Sequence, residues 1–278
     1  METTPARAPH AAYEYELREE DASSLIHGIG VVLSVAGLAI LAAAAARGGD
    51  TRHLVSVCIY GTTLIVLYTA STLYHAIPRE GSKPLLRLLD HSAIFLLIAG
   101  TYTPFTLISL HGPWGWSLFA VVWVLALSGI ALEMARVRRR GVLVALYLGM
   151  GWVGLIAIEP LMANLPAGGL WLLFGGGVAY TLGVPFYLWK RLPFNHALWH
   201  AFVLLGSVLQ FFSVFCYVLP THERAGHTPG RLSLRPRAFR GGRAGADRGA
   251  RMQLLDLPQE RSPALDRAGR ALPVAARP

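Results

Sequence analysis

The stretch LLDHSAIFLLIAGTYTPFTLISL, residues 88–110, contains only two ionisable side chains of the Asp, Glu, Lys, Arg and His types, those of Asp90 and His91. A helix of roughly 20 apolar residues spans the hydrocarbon core of a bilayer, which is about 30 Å thick. Six further runs have the same character, and they cover residues 25–46, 54–77, 114–132, 142–161, 170–189 and 196–219. Because a single helix satisfies its own backbone hydrogen bonds in lipid, the sequence predicts an all-α, polytopic membrane protein with a seven-transmembrane-helix bundle.

The composition supports this class of protein. Hydrophobic residues make up 54% of the chain and charged residues only 15%, whereas soluble domains carry about 25% charged residues. The formal net charge is +9, but the segment after the last apolar run contains most of the arginines. The charge therefore does not indicate nucleic-acid binding. We expect three regions: a polar N-terminal segment (1–24), a membrane domain (25–219) and an Arg-rich tail (220–278) that is too poor in apolar residues to fold alone.

Basic residues in the short connections predict the orientation of the helices. The second, fourth and sixth connections contain nine Lys or Arg residues, against two in the first and none in the third and fifth. Cytoplasmic loops are enriched in Lys and Arg, so these connections and the N-terminus are expected in the cytoplasm. The N-terminal EYELREED stretch could form a short amphipathic helix along that surface.

Polar residues that are distant in sequence fall at this same end of the predicted bundle. Ser71 and His75 close the second run, Asp90 opens the third, and His196 and His200 open the seventh. The last two histidines are four residues apart and share one face of a helix, which is half of a zinc site, and His75 is the candidate third ligand. Asp90 could orient or deprotonate water, and Ser71 could stabilise an oxyanion or bond its own helix carbonyl four residues back. The alternative is that the histidines are hydrogen-bonding links between helices.

Four other ionisable residues receive weaker assignments. His27 could support the metal site, and His91 points about 100° away from Asp90, towards another partner. Glu133 is expected to pair with the RVRRR connection, and Glu159 has no evident partner.

Several segments of the sequence resemble the hemolysin III branch of the adiponectin-receptor-like (progestin and adipoQ receptor) superfamily. They are HGIGVVLS from His27, STLYH from Ser71, LLDHSAIFLLIAGTYTPF from Leu88, and LPFNHALWHAFVLLGS from Leu192. The resemblance covers residues 19–219. It implies a seven-helix fold with a cytoplasmic N-terminus, zinc on His75, His196 and His200, and Ser71 and Asp90 completing the polar site. It also implies a multi-pass protein of the bacterial plasma membrane.

The resemblance leaves three functions open. Related receptors and alkaline ceramidases are associated with lipid amide hydrolysis, so the leading hypothesis is a zinc-dependent hydrolase of a lipid-like amide or ester. Asp90 and Ser71 would then be catalytic, and membrane lipids and a lipid-like substrate would be the partners. The alternatives are a pore-forming cytolysin with structural zinc, which the hemolysin name suggests, and a membrane receptor or sensor. No run shows a continuous polar stripe that could line a channel within one chain.

Overall fold

The structure is a computed structural model that describes residues 8–48, 50–110, 112–135 and 140–219. Seven helices in these ranges are long and apolar enough to cross a membrane, and the ranges contain no strand. The predicted all-α fold with seven spans is therefore confirmed. The tail at 220–278, which we expect to be disordered, and the connection at 136–139 lie outside the described residues.

Within the described ranges, eight α-helices form the seven spans, because the fifth span is built from two of them. The helices are α1 (Ala8–Arg47), α2 (Thr51–Ala76), α3 (Lys83–Pro104), α4 (Gly112–Met134), α5 (Arg140–Trp152), α6 (Ile158–Asn164), α7 (Ala167–Leu188) and α8 (Asn195–Ser213). Helix α3 continues as a π-helical turn, Phe105–Leu110, and α8 continues as another, Val214–Val218.

Helix α1 is longer than a membrane span requires. Its 40 residues correspond to about 60 Å at 1.5 Å per residue, roughly twice the thickness of the hydrocarbon core. The EYELREED stretch belongs to this helix and is continuous with the apolar part that follows it. The polar N-terminal turns of α1 therefore extend beyond the apolar part and reach the ends of other helices, as described below.

The fifth span is interrupted near its middle. A 3₁₀ segment, Val153–Ala157, separates α5 from α6. The Tyr102 hydroxyl of α3 bridges this break, since it donates to the Gly151 carbonyl oxygen (2.8 Å) and accepts from the Gly154 backbone N–H (3.0 Å). Backbone groups freed from a helix need such partners in lipid. The sequence predicted one uninterrupted run over 142–161, so the break is a structural finding.

Glycines allow the early helices to cross closely. A Cβ at Gly100 would meet Thr63, one at Gly129 would meet Phe95, and one at Gly115 would meet the backbone carbonyl of Thr106. Small residues at helix crossings are typical of membrane proteins. Helix α5 packs far less closely on its neighbours than α2 packs on α1 and α3. Looser packing here leaves space between α3, α5, α7 and α8.

Candidate functional site

Three histidines meet at one end of the bundle. His75 lies at the end of α2, and His196 and His200 lie in the first two turns of α8. Their candidate ligand nitrogens all lie within 4.8 Å of one another. The Nε2 atoms of His75 and His200 are 3.1 Å apart, and both of these side chains are buried. The cluster could therefore hold a metal ion.

Asp90 and Ser71 lie beside this cluster. Asp90 is buried at the start of the apolar part of α3, near enough to Ser71 and His75 for electrostatic interaction. Ser71 is completely buried one turn before His75, and its Oγ has no hydrogen-bond partner in the described ranges. Thr72, by contrast, donates to the carbonyl oxygen four residues back. Ser71 therefore does not bond its own helix carbonyl, and its hydroxyl lies close enough to the Asp90 carboxylate to interact with it.

Glu20, on α1, orients His75. One Glu20 carboxylate oxygen lies 3.1 Å from His75 Nδ1 and 3.2 Å from Lys83 Nζ. A carboxylate only accepts hydrogen bonds, so Nδ1 carries the proton and Nε2 is the nitrogen that faces His200. We did not predict this contact from the sequence, because Glu20 was assigned to a separate N-terminal segment. The sequence feature that could have indicated this contact is the position of Glu20 seven residues before His27, because the two side chains share a face if the helix is continuous.

The same part of α1 holds the start of α8. The Glu19 carboxylate accepts a hydrogen bond from the His196 backbone N–H at 3.0 Å. The Tyr15 hydroxyl contacts the Phe194 backbone N–H, and the two aromatic rings pack edge to face at 5.4 Å. Phe194 has a φ of 53°, in the left-handed region. These contacts fix the turn that places His196 and His200 on the site-facing side of α8.

His27 packs against the cluster, but it does not belong to the group of three histidines whose nitrogens could share a metal ion. Its ring centroid lies 3.7 Å from that of His200 and 5.0 Å from that of Tyr68. The side chain is buried, and neither ring nitrogen has a hydrogen-bond partner among the described residues. His27 therefore contacts His200 through its ring, and its supporting role at a metal site stays a prediction.

His91 faces away from the three histidines, towards α4. Its Nδ1 lies 3.2 Å from a carboxylate oxygen of Glu133, and the Tyr147 hydroxyl donates to its backbone carbonyl at 3.2 Å. The expected separate partner of His91 is therefore Glu133. Pairing of Glu133 with the 136–139 connection involves residues outside the described ranges and stays a prediction.

A cavity of about 1050 Å³ reaches one side of the histidine cluster. Asp90, His91, His196 and His200 line it near the α2–α3 turn. Apolar side chains line it further along α3 and its neighbours, including Leu97, Ile98, Leu148, Val184 and Val203. This volume is at the upper end of the range for small-molecule sites, so a lipid-sized ligand could reach the histidine cluster.

Comparison with known proteins identifies the family. Residues 15–211 match the family described as "Haemolysin-III related". The chain is 48% identical to "Hemolysin-3" of Bacillus cereus over 206 residues, which cover 74% of this chain and 94% of that one. It is 47% identical to a "Hemolysin-3 homolog" of Bacillus subtilis over 204 residues (73% and 96%).

A more distant similarity extends to animals. The chain is 27% identical to the human "Monocyte to macrophage differentiation factor" over 220 residues, which cover 76% of this chain and 90% of that protein. The predicted resemblance and the predicted multi-pass membrane location are both confirmed. With seven apolar helices and a family match that spans most of them, the chain belongs to the haemolysin-III-related family of multi-pass integral membrane proteins.

Proposed function

We propose that this protein is a zinc-dependent hydrolase of a lipid-like amide or ester. One observation carries the proposal: a cluster of three histidine nitrogens lies beside a buried carboxylate at the end of a lipid-sized cavity. Ionisable groups within membrane spans are costly, which favours a functional role for such a cluster.

The donor set fits zinc. Imidazole nitrogens are common zinc ligands, and three protein ligands leave the fourth tetrahedral position open, as in catalytic zinc sites. Two nitrogens bound to one tetrahedral zinc at 2.0–2.1 Å lie about 3.3 Å apart. The 3.1 Å between His75 Nε2 and His200 Nε2 is close to that separation, and the three ligand nitrogens together lie within 4.8 Å of one another. Glu20 on His75 Nδ1 is the kind of carboxylate partner that zinc-binding histidines usually have.

The residues around the cluster can supply the other groups that a zinc-dependent hydrolysis needs. Bound zinc supplies Lewis acidity, which activates water near neutral pH. Asp90 would accept a proton from the water while the water oxygen bonds to the substrate carbonyl carbon. It would then give that proton to the leaving nitrogen or oxygen as the bond from the carbonyl carbon to the leaving atom breaks. The Ser71 hydroxyl, which lies beside the Asp90 carboxylate, donates a hydrogen bond to the oxyanion that develops on the carbonyl oxygen.

The test is turnover by the purified protein in lipid nanodiscs, with zinc content measured on the same samples. The wild type is expected to hydrolyse members of a panel of long-chain amides and esters. Asp90→Asn should keep its zinc and lose about 10²- to 10⁴-fold in kcat, the usual contribution of a general base. Asp50→Asn, at the half-exposed N-cap of α2, is the matched control and should keep its activity. A zinc-loaded wild type inactive on the whole panel, or an Asp90→Asn variant as active as the wild type, contradicts the proposal.

A second function is favoured by the names of the Bacillus relatives, which describe a hemolysin. In that case the protein would release dye from liposomes, and Asp90→Asn would release it as fast as the wild type. Dye release together with absent hydrolysis would replace the hydrolase proposal by this one.

A further inference from the structure

The first turn of α8 is capped by another helix. The residue before α8 is Phe194, whose side chain has no acceptor atom, although the first four N–H groups of a helix find no partner inside it. Helices commonly use a Ser, Thr, Asp or Asn side chain at this position to accept from the second or third N–H. Here the Glu19 carboxylate of α1 accepts from the N–H of His196, the second residue of α8, at 3.0 Å. The Tyr15 hydroxyl, one turn earlier on α1, accepts from the Phe194 N–H.

These contacts act on the histidine that depends most on the helix end. His196 lies in the first turn of α8, and helix ends whose N–H groups lack partners fray. His200 lies one turn further along and is buried in the surrounding core. A carboxylate at the start of a helix also interacts favourably with the helix dipole. Glu19 therefore holds the backbone from which the His196 imidazole extends into the cluster.

Helix α1 also links the two helices that supply the three histidines. Among the described residues, the backbones of α2 and α8 hardly approach each other, whereas both helices pack along α1. The neighbour of Glu19, Glu20, contacts His75 on α2 at 3.1 Å. Adjacent residues of α1 thus hold one candidate ligand on each side of the cluster. Because α2 and α8 pack so little on each other, α1 sets the distance between their histidines.

We propose that Tyr15 and Glu19 are positioning residues for the metal site, which hold His196 within the ligand set by capping α8 from α1. The polar turns of α1, residues 15–24, then form a clamp whose docking is coupled to metal binding. Such coupling is reciprocal: the docked clamp raises the metal affinity, and bound metal stabilises the docked clamp by the same factor. A contact that only stabilised the bundle would show neither effect. The inference rests on the zinc of the proposed function, but it does not depend on hydrolysis.

The first test measures metal binding to the full-length protein in nanodiscs, with Zn²⁺ by chelator competition and with Co²⁺ by visible absorption. Co²⁺ replaces zinc in tetrahedral sites, and its absorption bands report the coordination geometry. Glu19→Ala removes the acceptor and should bind Zn²⁺ about 3- to 30-fold more weakly, the factor that corresponds to the loss of a helix cap. It should also weaken the Co²⁺ bands.

Three further variants separate capping from charge and from ring packing. Glu19→Gln keeps an acceptor oxygen and should bind Zn²⁺ within about 2-fold of the wild type. Asp21→Ala, which removes the same charge from an exposed position on α1, is the matched control and should bind like the wild type. Tyr15→Phe keeps the edge-to-face contact with Phe194 but removes the hydroxyl, so its affinity should lie between those of Glu19→Ala and the wild type.

The second test is hydrogen exchange of the wild type with and without Zn²⁺, and it decides the proposal if Glu19→Ala does not fold. Bound zinc should slow the exchange of backbone amides in the clamp and at Phe194 and His196 by at least about 3-fold, because the coupling is reciprocal. Amides at the opposite end of the bundle, at the start of α2 (residues 51–55), should exchange at an unchanged rate.

The outcomes separate this inference from the proposed function. Equal Zn²⁺ affinities for Glu19→Ala and Asp21→Ala, or Zn²⁺ binding that leaves exchange in the clamp unchanged, overturn the proposal. A wild type that binds neither Zn²⁺ nor Co²⁺ overturns it together with the proposed function. A wild type that binds zinc and meets both expectations but hydrolyses nothing supports the clamp and removes only the hydrolase.

Discussion

Replacing Glu20 by Gln tests whether α1 tunes the metal affinity of His75. The change keeps the length of the side chain and removes the charged acceptor that lies 3.1 Å from His75 Nδ1. Loss of a carboxylate behind a metal-bound histidine typically lowers metal affinity by 10- to 100-fold, which corresponds to about 1.4–2.8 kcal/mol. Glu20 is 41% exposed, whereas the His75 side chain is only 2% exposed. Solvent therefore screens the carboxylate, and we expect the lower half of that range.

The same carboxylate oxygen also contacts Lys83 at 3.2 Å, so the two contacts must be separated. Lys83→Gln removes the ion pair and keeps the carboxylate on His75. Because partly exposed ion pairs contribute at most about 1 kcal/mol, this variant should weaken zinc binding by less than about 5-fold.

The measurement is a zinc dissociation constant from competition with a chelator, on wild type, Glu20→Gln, Lys83→Gln and the exposed control Glu80→Gln. Glu20→Gln should bind zinc at least about 10-fold more weakly than the wild type. The reasoning is refuted if Glu20→Gln binds zinc as tightly as Glu80→Gln, or if Lys83→Gln weakens binding as much as Glu20→Gln does.

Two further predictions concern the catalytic hydroxyl and the helix packing. Ser71→Ala should lower kcat by about 10²-fold if the hydroxyl stabilises an oxyanion. Its thermal unfolding should change little, because the Oγ makes no close hydrogen bond among the described residues. An unchanged kcat would show that Ser71 has no role in the reaction. Gly115→Ala should destabilise the fold by about 1–3 kcal/mol, because its Cβ would meet the Thr106 carbonyl. Gly149→Ala on α5, with open space around it, is the matched control and should unfold at the wild-type temperature or higher. Equal melting temperatures for Gly115→Ala and Gly149→Ala would contradict the packing described here.

The bundle and the meeting of the three histidines were predictable for the same physical reason. Apolar length defines each span, and alternate helices run in opposite directions across the membrane. The end of α2 and the start of α8 therefore lie on the same side, which brings His75 to His196 and His200.

The remaining features depend on tertiary contacts that no local pattern reveals. The break in the fifth span is held by Tyr102, a residue about 50 positions away in sequence. Glu20 could not be assigned to the site until α1 was known to continue through the polar segment. The direction in which His91 points followed from helix geometry, whereas the identity of its partner, Glu133, depended on how α3 packs on α4.

The most direct test of the central claim is the zinc content of the purified protein. Elemental analysis should find about one zinc per chain in the wild type and in His53→Gln, a histidine outside the cluster, as expected for a single site with three histidine ligands. His200→Ala should fall below about a fifth of that content, since two remaining ligands rarely retain zinc, while its helical circular dichroism stays at the wild-type level. A His200→Ala variant that carries as much zinc as the wild type, or a wild type that carries none after purification with zinc, would contradict the account.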